Sequence, residues 1–143
     1  MLPHPRITVQ EKFDVPPSLL WEYLTQLTHL QGWFFSELKA FEAVRGFCTS
    51  FPFHYNNKTF THQWTVREVI PGEKLCLGWQ YKEYPGDSNA EFSLYSSPKG
   101  CILKLTATIL IPFPAMEEFS RESMKIGWTD LIQLRLKTYV ESH

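Results

Sequence analysis

No run of 18 apolar residues occurs in the 143-residue chain, so no membrane-spanning helix is expected. The opening stretch MLPHPRITVQEKF lacks an apolar central region, and no signal peptide is expected either. Cysteine is scarce. Cys48, Cys76 and Cys101 are odd in number, widely spaced and without a CxxC pair. That argues against a disulfide framework and for a reducing compartment, so a cytoplasmic location is the expectation. Neither charge sign dominates: 14 basic and 15 acidic residues leave a net charge of −1. There is no basic stripe to follow a phosphate backbone, which argues against a nucleic-acid partner, and no acidic tail.

Motifs of catalysis and metal binding are also missing. The five histidines (His4, His29, His54, His62 and His143) are scattered, with no HxH, HxxxH or HExxH spacing, so no metal site is expected. His54 and His62 could face each other across a hairpin at Asn56-Asn57, which would give two ligands at most. No GxSxG, no cysteine close to a histidine and no glycine-rich phosphate loop occurs. No cofactor and no catalytic residue is assigned. Acid–base chemistry needs only one or two poised groups, so enzymatic activity is left open while a non-enzymatic role is favoured.

What is present is ordinary in bulk and unusual in its rings. Apolar residues make up 43% and charged residues 20%, and the length fits one domain over 1–143. Aromatics reach 15%, with eleven Phe, six Tyr and five Trp. A plain core needs fewer, so some are expected to line an interior or partner surface, and exposed ones could support a weak homodimer.

Residues 6–13 alternate, with Ile7, Val9 and Phe13 on one side, which predicts a strand. Val15-Pro16-Pro17-Ser18 stops it and opens a helix in which Leu19, Leu20, Tyr23, Leu24 and Leu27 recur at helical spacing. A second short helix is expected over Thr28–Trp33. Strand candidates follow at 37–43 (weak), 46–55, 59–70, 74–82, 90–96 and 101–111. The turns between them are expected at Asn56-Asn57-Lys58, Pro71-Gly72, Tyr84-Pro85-Gly86-Asp87 and Ser97-Pro98-Lys99-Gly100. Such connections imply an antiparallel sheet.

After Pro112-Phe113-Pro114, residues 116–141 hold no proline and one glycine. They predict a helix of about 25 residues, roughly 37 Å long. At 100° per residue Met124, Gly127, Trp128, Leu131, Ile132 and Tyr139 share one sector. Glu117, Glu118 and Glu122 fall in the first turns, where the helix dipole favours anions. Gly127 inside the helix costs roughly 1 kcal/mol against Ala, which points to close backbone approach or to room for something bulky.

Several of these segments resemble motifs of the START-like superfamily, also called SRPBCC or Bet v-like. Val15-Pro16-Pro17-Ser18-Leu19-Leu20-Trp21-Glu22-Tyr23-Leu24-Thr25 is similar to its opening helix motif, and Trp33-Phe34 to the aromatic pair that follows. Val66-x-Glu68-x-x-Pro71 with Leu75-x-x-x-Trp79 resembles its hairpin. Gly127-Trp128 resembles the Gly-Trp of the terminal helix in the branch related to the activator of heat-shock-protein-90 ATPase. The match runs over about residues 6–141. The resemblance implies an α+β helix-grip fold: a curved antiparallel sheet of about seven strands, two short helices after the first strand, and a long C-terminal helix across the sheet. It also implies an apolar tunnel between sheet and helix. Two positions depart from the pattern: Trp64 stands where the hairpin often has glycine, and Arg135 where the helix is usually apolar.

In that frame the aromatic set Phe51, Phe53, Trp64, Trp79, Phe92 and Trp128 becomes the candidate pocket lining, with Tyr55, His62, Val66, Leu105, Met124 and Leu131 beside it. Glu68 and Arg135 are the candidates for orienting a ligand. A buried cation without a partner is expensive, so Arg135 is expected to pair with a carboxylate, to reach the rim, or to hold an acidic ligand. The leading expectation is a module that encloses a small hydrophobic or aromatic molecule. A polyketide cyclase- or aromatase-like enzyme and a co-chaperone-like domain acting on the heat-shock-protein-90 ATPase are the alternatives. Equally, the rings could pack densely and leave no hollow.

Overall fold

The computed structural model describes residues 5–143; Met1–His4, with one of the five scattered histidines, lie outside the described residues. The architecture is α+β, a six-stranded antiparallel sheet with two short helices early and a helix at the end. β1 (Arg6–Phe13) leads into α1 (Pro17–Thr25) and α2 (Leu27–Trp33). β2 (Cys48–Tyr55), β3 (Lys58–Ile70), β4 (Lys74–Tyr81), β5 (Tyr84–Ser97) and β6 (Gly100–Ile111) then form a meander of hairpins. β1 returns to pair with β6, giving the order β1-β6-β5-β4-β3-β2. Pairings such as Val9 with Leu105 and Leu105 with Phe92 put the apolar phases of three strands on one inner face.

The sheet has six strands rather than about seven. Residues 37–43 form no strand. Leu38 and Phe41 are buried there, and the Gln31 amide donates to the Leu38 carbonyl at 2.7 Å, so the segment is tied to α2 instead of to a neighbouring strand. A second difference concerns the turn after β4. It falls at Lys82-Glu83, with Tyr81 opposite Tyr84, and not at Tyr84–Asp87. Pro85-Gly86 carries β5 past the end of β6, and the Phe113 ring crosses where a Cβ on Gly86 would stand. The Asn56-Asn57 hairpin is a two-residue turn with both φ positive (53° and 59°), as tight antiparallel connections favour. Register shifts between Val66 and Glu68, Trp79 and Tyr81, and Asp87 and Ser88 interrupt the ladders. Bulges of this kind bend strands and add twist, which helps one sheet to curl around a helix.

The C-terminal segment is shorter and less regular than its sequence suggests. Glu117–Phe119 form a single 3-10 turn. The continuous helix starts at Arg121 because the Ser120 side chain accepts from the Ser123 amide at 3.1 Å and so caps it. Only Glu122 of the three glutamates lies in its first turn. α3 (Arg121–Thr129) then widens into a π-helical stretch over Asp130–Leu136 before α4 (Lys137–Glu141). Trp128, Ile132, Leu136 and Val140 are all buried, four residues apart. A regular α-helix would rotate such a series steadily off the sheet; the wider π turn holds it on one line. Leu136 and Val140 therefore join the inner face, which a fixed 100° step does not include.

The helix is docked by its C-terminal half. Gln133 donates to the Gln10 carbonyl at 2.9 Å, and the Lys137 ammonium donates to the Lys12 carbonyl. These two acceptors lie on the open edge of β1, so the helix covers a sheet edge. Tyr139 packs on α2, where its hydroxyl meets His29 Nδ1 at 2.8 Å and its ring fills the space a Cβ on Gly32 would need. Gly32→Ala is therefore expected to displace Tyr139 and to destabilise the fold by about 1–3 kcal/mol, the range of overpacking. Thermal unfolding should show a fall of roughly 3–10 °C; an unchanged midpoint would contradict this docking.

Candidate functional site

The interior between sheet and helix is solid at one end and hollow at the other. Phe34 closes α2 with an irregular backbone (φ −100°, ψ −83°). Its ring stacks on Trp33 (centroids 4.5 Å apart) and lies 5.3 Å from Trp64, 5.8 Å from Trp79, 6.2 Å from Phe92 and 6.1 Å from Trp128. Beyond this wedge the N-terminal half of the terminal helix stands off the sheet, and a cavity of about 590 Å³ occupies the gap.

Eight of the fourteen residues singled out in the sequence line that cavity: Phe53, Tyr55, His62, Trp79, Met124, Trp128, Leu131 and Arg135. Five others do not. Phe51, Trp64, Val66, Phe92 and Leu105 are buried on the packed side, where the Phe34 wedge and the α1 residues Leu20 and Leu24 take up the room. Trp64 thus supplies bulk to the packed core, not to a pocket wall. Glu68 lies elsewhere, paired at the surface with Lys74 at 3.4 Å, which also holds Glu91 at 3.2 Å. Arg135 is exposed at the rim, with no ion-pair partner among the described residues. Gly127 also lines the cavity, and a Cβ there would meet nothing within 4 Å; of the two readings of this glycine, open room is the one observed.

The remaining wall comes partly from strand residues in phase and partly from irregular connections that have no period. Phe35 follows the wedge. Phe60 and Tyr81 share the inward phases of β3 and β4, a signal that strand alternation carries. Phe113 and Phe119 belong to the strap between β6 and the helix, which has no period. The strap seals one end by ring contacts: Phe119 lies 5.1 Å from Phe113, 5.3 Å from Tyr81 and 5.8 Å from Phe60. It is fastened to the β2–β3 turn by Glu118, whose Oε2 takes the Lys58 ammonium at 2.8 Å and the Asn56 amide at 3.3 Å. The hydrogen bond from Lys58, with its charge, holds the Glu118 carboxyl below the usual range.

Three polar side chains lie deep in the wall: Ser88, whose hydroxyl donates to the Trp79 carbonyl at 2.8 Å, and His62 and Tyr81, which are directly opposite each other in the β3–β4 register. Their rings are 4.9 Å apart. His62 Nδ1 sits 2.9 Å from the Phe60 carbonyl. A carbonyl only accepts, so Nδ1 carries the proton and Nε2 keeps a free lone pair. Burial pushes the His62 pKa down to about 4, against the smaller opposing pulls of the Phe60 carbonyl and the Glu83 charge. The ring is therefore neutral at pH 7. Tyr81 accepts from the Trp79 indole N–H at 2.9 Å, and burial pushes its phenol up to about 12, so it remains a donor. His54 does not face His62; it is exposed on the rim of the hairpin and meets Thr59 at 3.2 Å. Among the described residues no group of three or more His, Cys, Asp or Glu side chains converges to hold a metal ion.

The buried histidine makes stability depend on pH. The unfolded chain takes up this proton near 6.5 and the folded chain only near 4, so the unfolded state binds more protons between those values. Above about pH 7 the buried ring costs the fold no stability on this account; the loss begins as pH falls through 6.5 and reaches about 3 kcal/mol below pH 4. Titration of the His62 ring by NMR should give a midpoint near 4; a value at or above 6 would mean that the ring is not buried as described.

Comparison with known proteins agrees with this fold. The family described as "Activator of Hsp90 ATPase homolog 1-like protein" matches residues 14–141. No curated protein sequence matches. Among solved structures, protein MLL2253 from Mesorhizobium loti is similar at a TM-score of 0.74 and 20% identity, over 96% of this chain and 98% of that one. Protein Mll3558 from Rhizobium loti reaches a TM-score of 0.81 at 14% identity, over 95% of this chain and 96% of that one. DynU16, from the dynemicin biosynthetic locus, gives 0.75 at 22% identity, over 98% of this chain but 48% of its own length. These likenesses extend the shared fold, and the sequence match over almost the whole chain assigns the protein to the family of activator of Hsp90 ATPase homolog 1-like proteins.

Proposed function

We propose that this protein encloses a small hydrophobic or aromatic molecule in the cavity between the sheet and the N-terminal half of the terminal helix. The observation that carries this reading is the cavity itself: about 590 Å³, walled largely by aromatic and aliphatic side chains, the Phe113 and Phe119 rings of the strap among them. Ligand sites in general have this size and this mix of apolar wall with few polar groups. Affinity would come from apolar burial, at about 25 cal/mol per Å². A similar fold in a protein from a biosynthetic locus for a natural product fits a ligand of this class.

Binding is favoured over catalysis by the one deep titratable base. General bases work best with a pKa near the operating pH. His62, held near 4 by burial, is a weak base at pH 7. Tyr55, Glu68 and Arg135, the other polar candidates, are exposed, so they supply no buried partner for it.

The reading is tested by thermal unfolding with a panel of fatty acids, sterols and flavonoids, with tryptophan fluorescence as a second signal from Trp79 and Trp128. A binder at 100 times its Kd should stabilise the fold by about 2.7 kcal/mol. Gly127→Leu, which projects a side chain into open room, should leave unfolding unchanged or raise it, because leucine favours a helix by up to roughly 1 kcal/mol over glycine. The same change should weaken the bound ligand at least severalfold. No response to any class, or unaltered affinity in Gly127→Leu, would count against the cavity as the binding site.

A further inference from the structure

Inside the cavity two of the deep polar groups, His62 and Tyr81, each keep one hydrogen-bonding function free. His62 is 4% exposed, its Nδ1–H is committed to the Phe60 carbonyl, and its Nε2 has no partner among the described residues. The Tyr81 oxygen already accepts from Trp79, while its own O–H has no acceptor among the described residues. They do not bond to each other, although their rings are adjacent. Five aromatic rings surround His62 at 4.9–5.9 Å: Phe35, Phe51, Phe53, Trp79 and Tyr81. None of these rings supplies a strong donor to Nε2: the Trp79 N–H is spent on Tyr81. His62 Nε2 is not sealed inside the protein but opens on the cavity, so this acceptor and the Tyr81 donor stand ready for water or for a visiting group that answers both.

We infer that the cavity selects a neutral ligand carrying a hydroxyl group, whose proton goes to His62 Nε2 and whose oxygen accepts from the Tyr81 O–H. This rests on the binding role proposed above and names the ligand class. A hydroxyl is the smallest group that donates and accepts at one atom. An ether accepts only, so it leaves Nε2 unmet. A carboxylate also accepts only, and it brings its charge towards the lone pair of an unprotonated ring. The aromatic surround favours a flat ring as the bearer of the hydroxyl, by stacked or edge contacts.

The test compares 2-naphthol with 2-methoxynaphthalene, which share a ring system and differ in the donor. Binding is read by calorimetry and by quenching of tryptophan fluorescence. The naphthol should bind about tenfold more tightly, as one good hydrogen bond allows. Tyr81→Phe should weaken both compounds, since both accept from Tyr81. His62→Phe should weaken the naphthol about tenfold and leave the ether unchanged, which removes the preference. Should the His62 variant fail to fold, the wild-type comparison and Tyr81→Phe still decide. Equal affinities in the wild-type protein, or a preference that survives His62→Phe, would overturn this inference while leaving the cavity role intact. Failure of both compounds and of the wider panel to bind would overturn the cavity role and this inference with it.

Discussion

The terminal helix is held at both ends, by its C-terminal half on β1 and α2 and by the Glu118 strap on the β2–β3 turn, and the interior takes its shape from that constraint. Its C-terminal half lies against the edge of β1 and on α2, held by Gln133, Lys137 and Tyr139. Ile132 and Leu136 are fully buried there. A straight α-helix could not keep Trp128, Ile132, Leu136 and Val140 in one line, and the π stretch over Asp130–Leu136, which turns less per residue, takes up the drift. Towards Arg121 the buried residues stop, and the helix stands away from a sheet that bends beneath it. The gap is thus a consequence of laying a rod across a curved surface and fastening it at its two ends.

The aromatic residues are divided along the same line. Phe34, Trp33, Trp64 and Phe92 fill the narrow end by stacked and edge contacts, dense enough to act as a floor. Phe53, Phe60, Trp79, Phe113 and Phe119 wall the wide end. Dense packing and an open cavity are both outcomes an aromatic-rich interior permits. Here the position of the Phe34 wedge decides between them, because it stops the packed region before it reaches Met124 and Gly127. The Glu118 clasp on Asn56 and Lys58 then closes the far end from the surface, with one carboxylate oxygen buried and without a protein partner among the described residues.

Strand alternation made most of this legible in the sequence. The phases of 60–66 and 75–81 put His62, Trp79 and Tyr81 on the inner face, and the residues of β1 to β6 were recognisable within a few positions. Three things were not. The ends of the elements depended on tertiary partners: residues 37–43 lost their strand to contacts with α2, and the Pro85-Gly86 signal was overridden because β5 needed to continue past β6. The inner face of the last helix depended on a π turn, which has no residue signature, so Leu136 and Val140 escaped a count at 100° per residue. The split of the aromatic set depended on Phe34 and Phe35. They sit in an irregular connection where no period says which way a ring points. Phe51, Trp64, Val66, Phe92 and Leu105 share strand phases with the true lining, and strand phase gives the face of a sheet but not the position along it.

In the proposed binding role, charge is distributed so that the hollow would distinguish neutral from ionised guests. Its deep titratable groups, His62 and Tyr81, are both uncharged at pH 7, for the same reason: burial penalises the ionic form of each. The cations nearby are unavailable within. Lys58 is engaged with Glu118 at the clasp, and Arg135 stands at the exposed rim. An ionised carboxylate drawn to the depth of His62 would lose several kcal/mol of hydration with no counter-charge to offset it. A fatty acid would therefore settle with its chain inside and its head near Arg135, whereas an uncharged aromatic alcohol can enter completely. In that role the depth at which a guest sits would be set by its charge, before shape complementarity begins to discriminate.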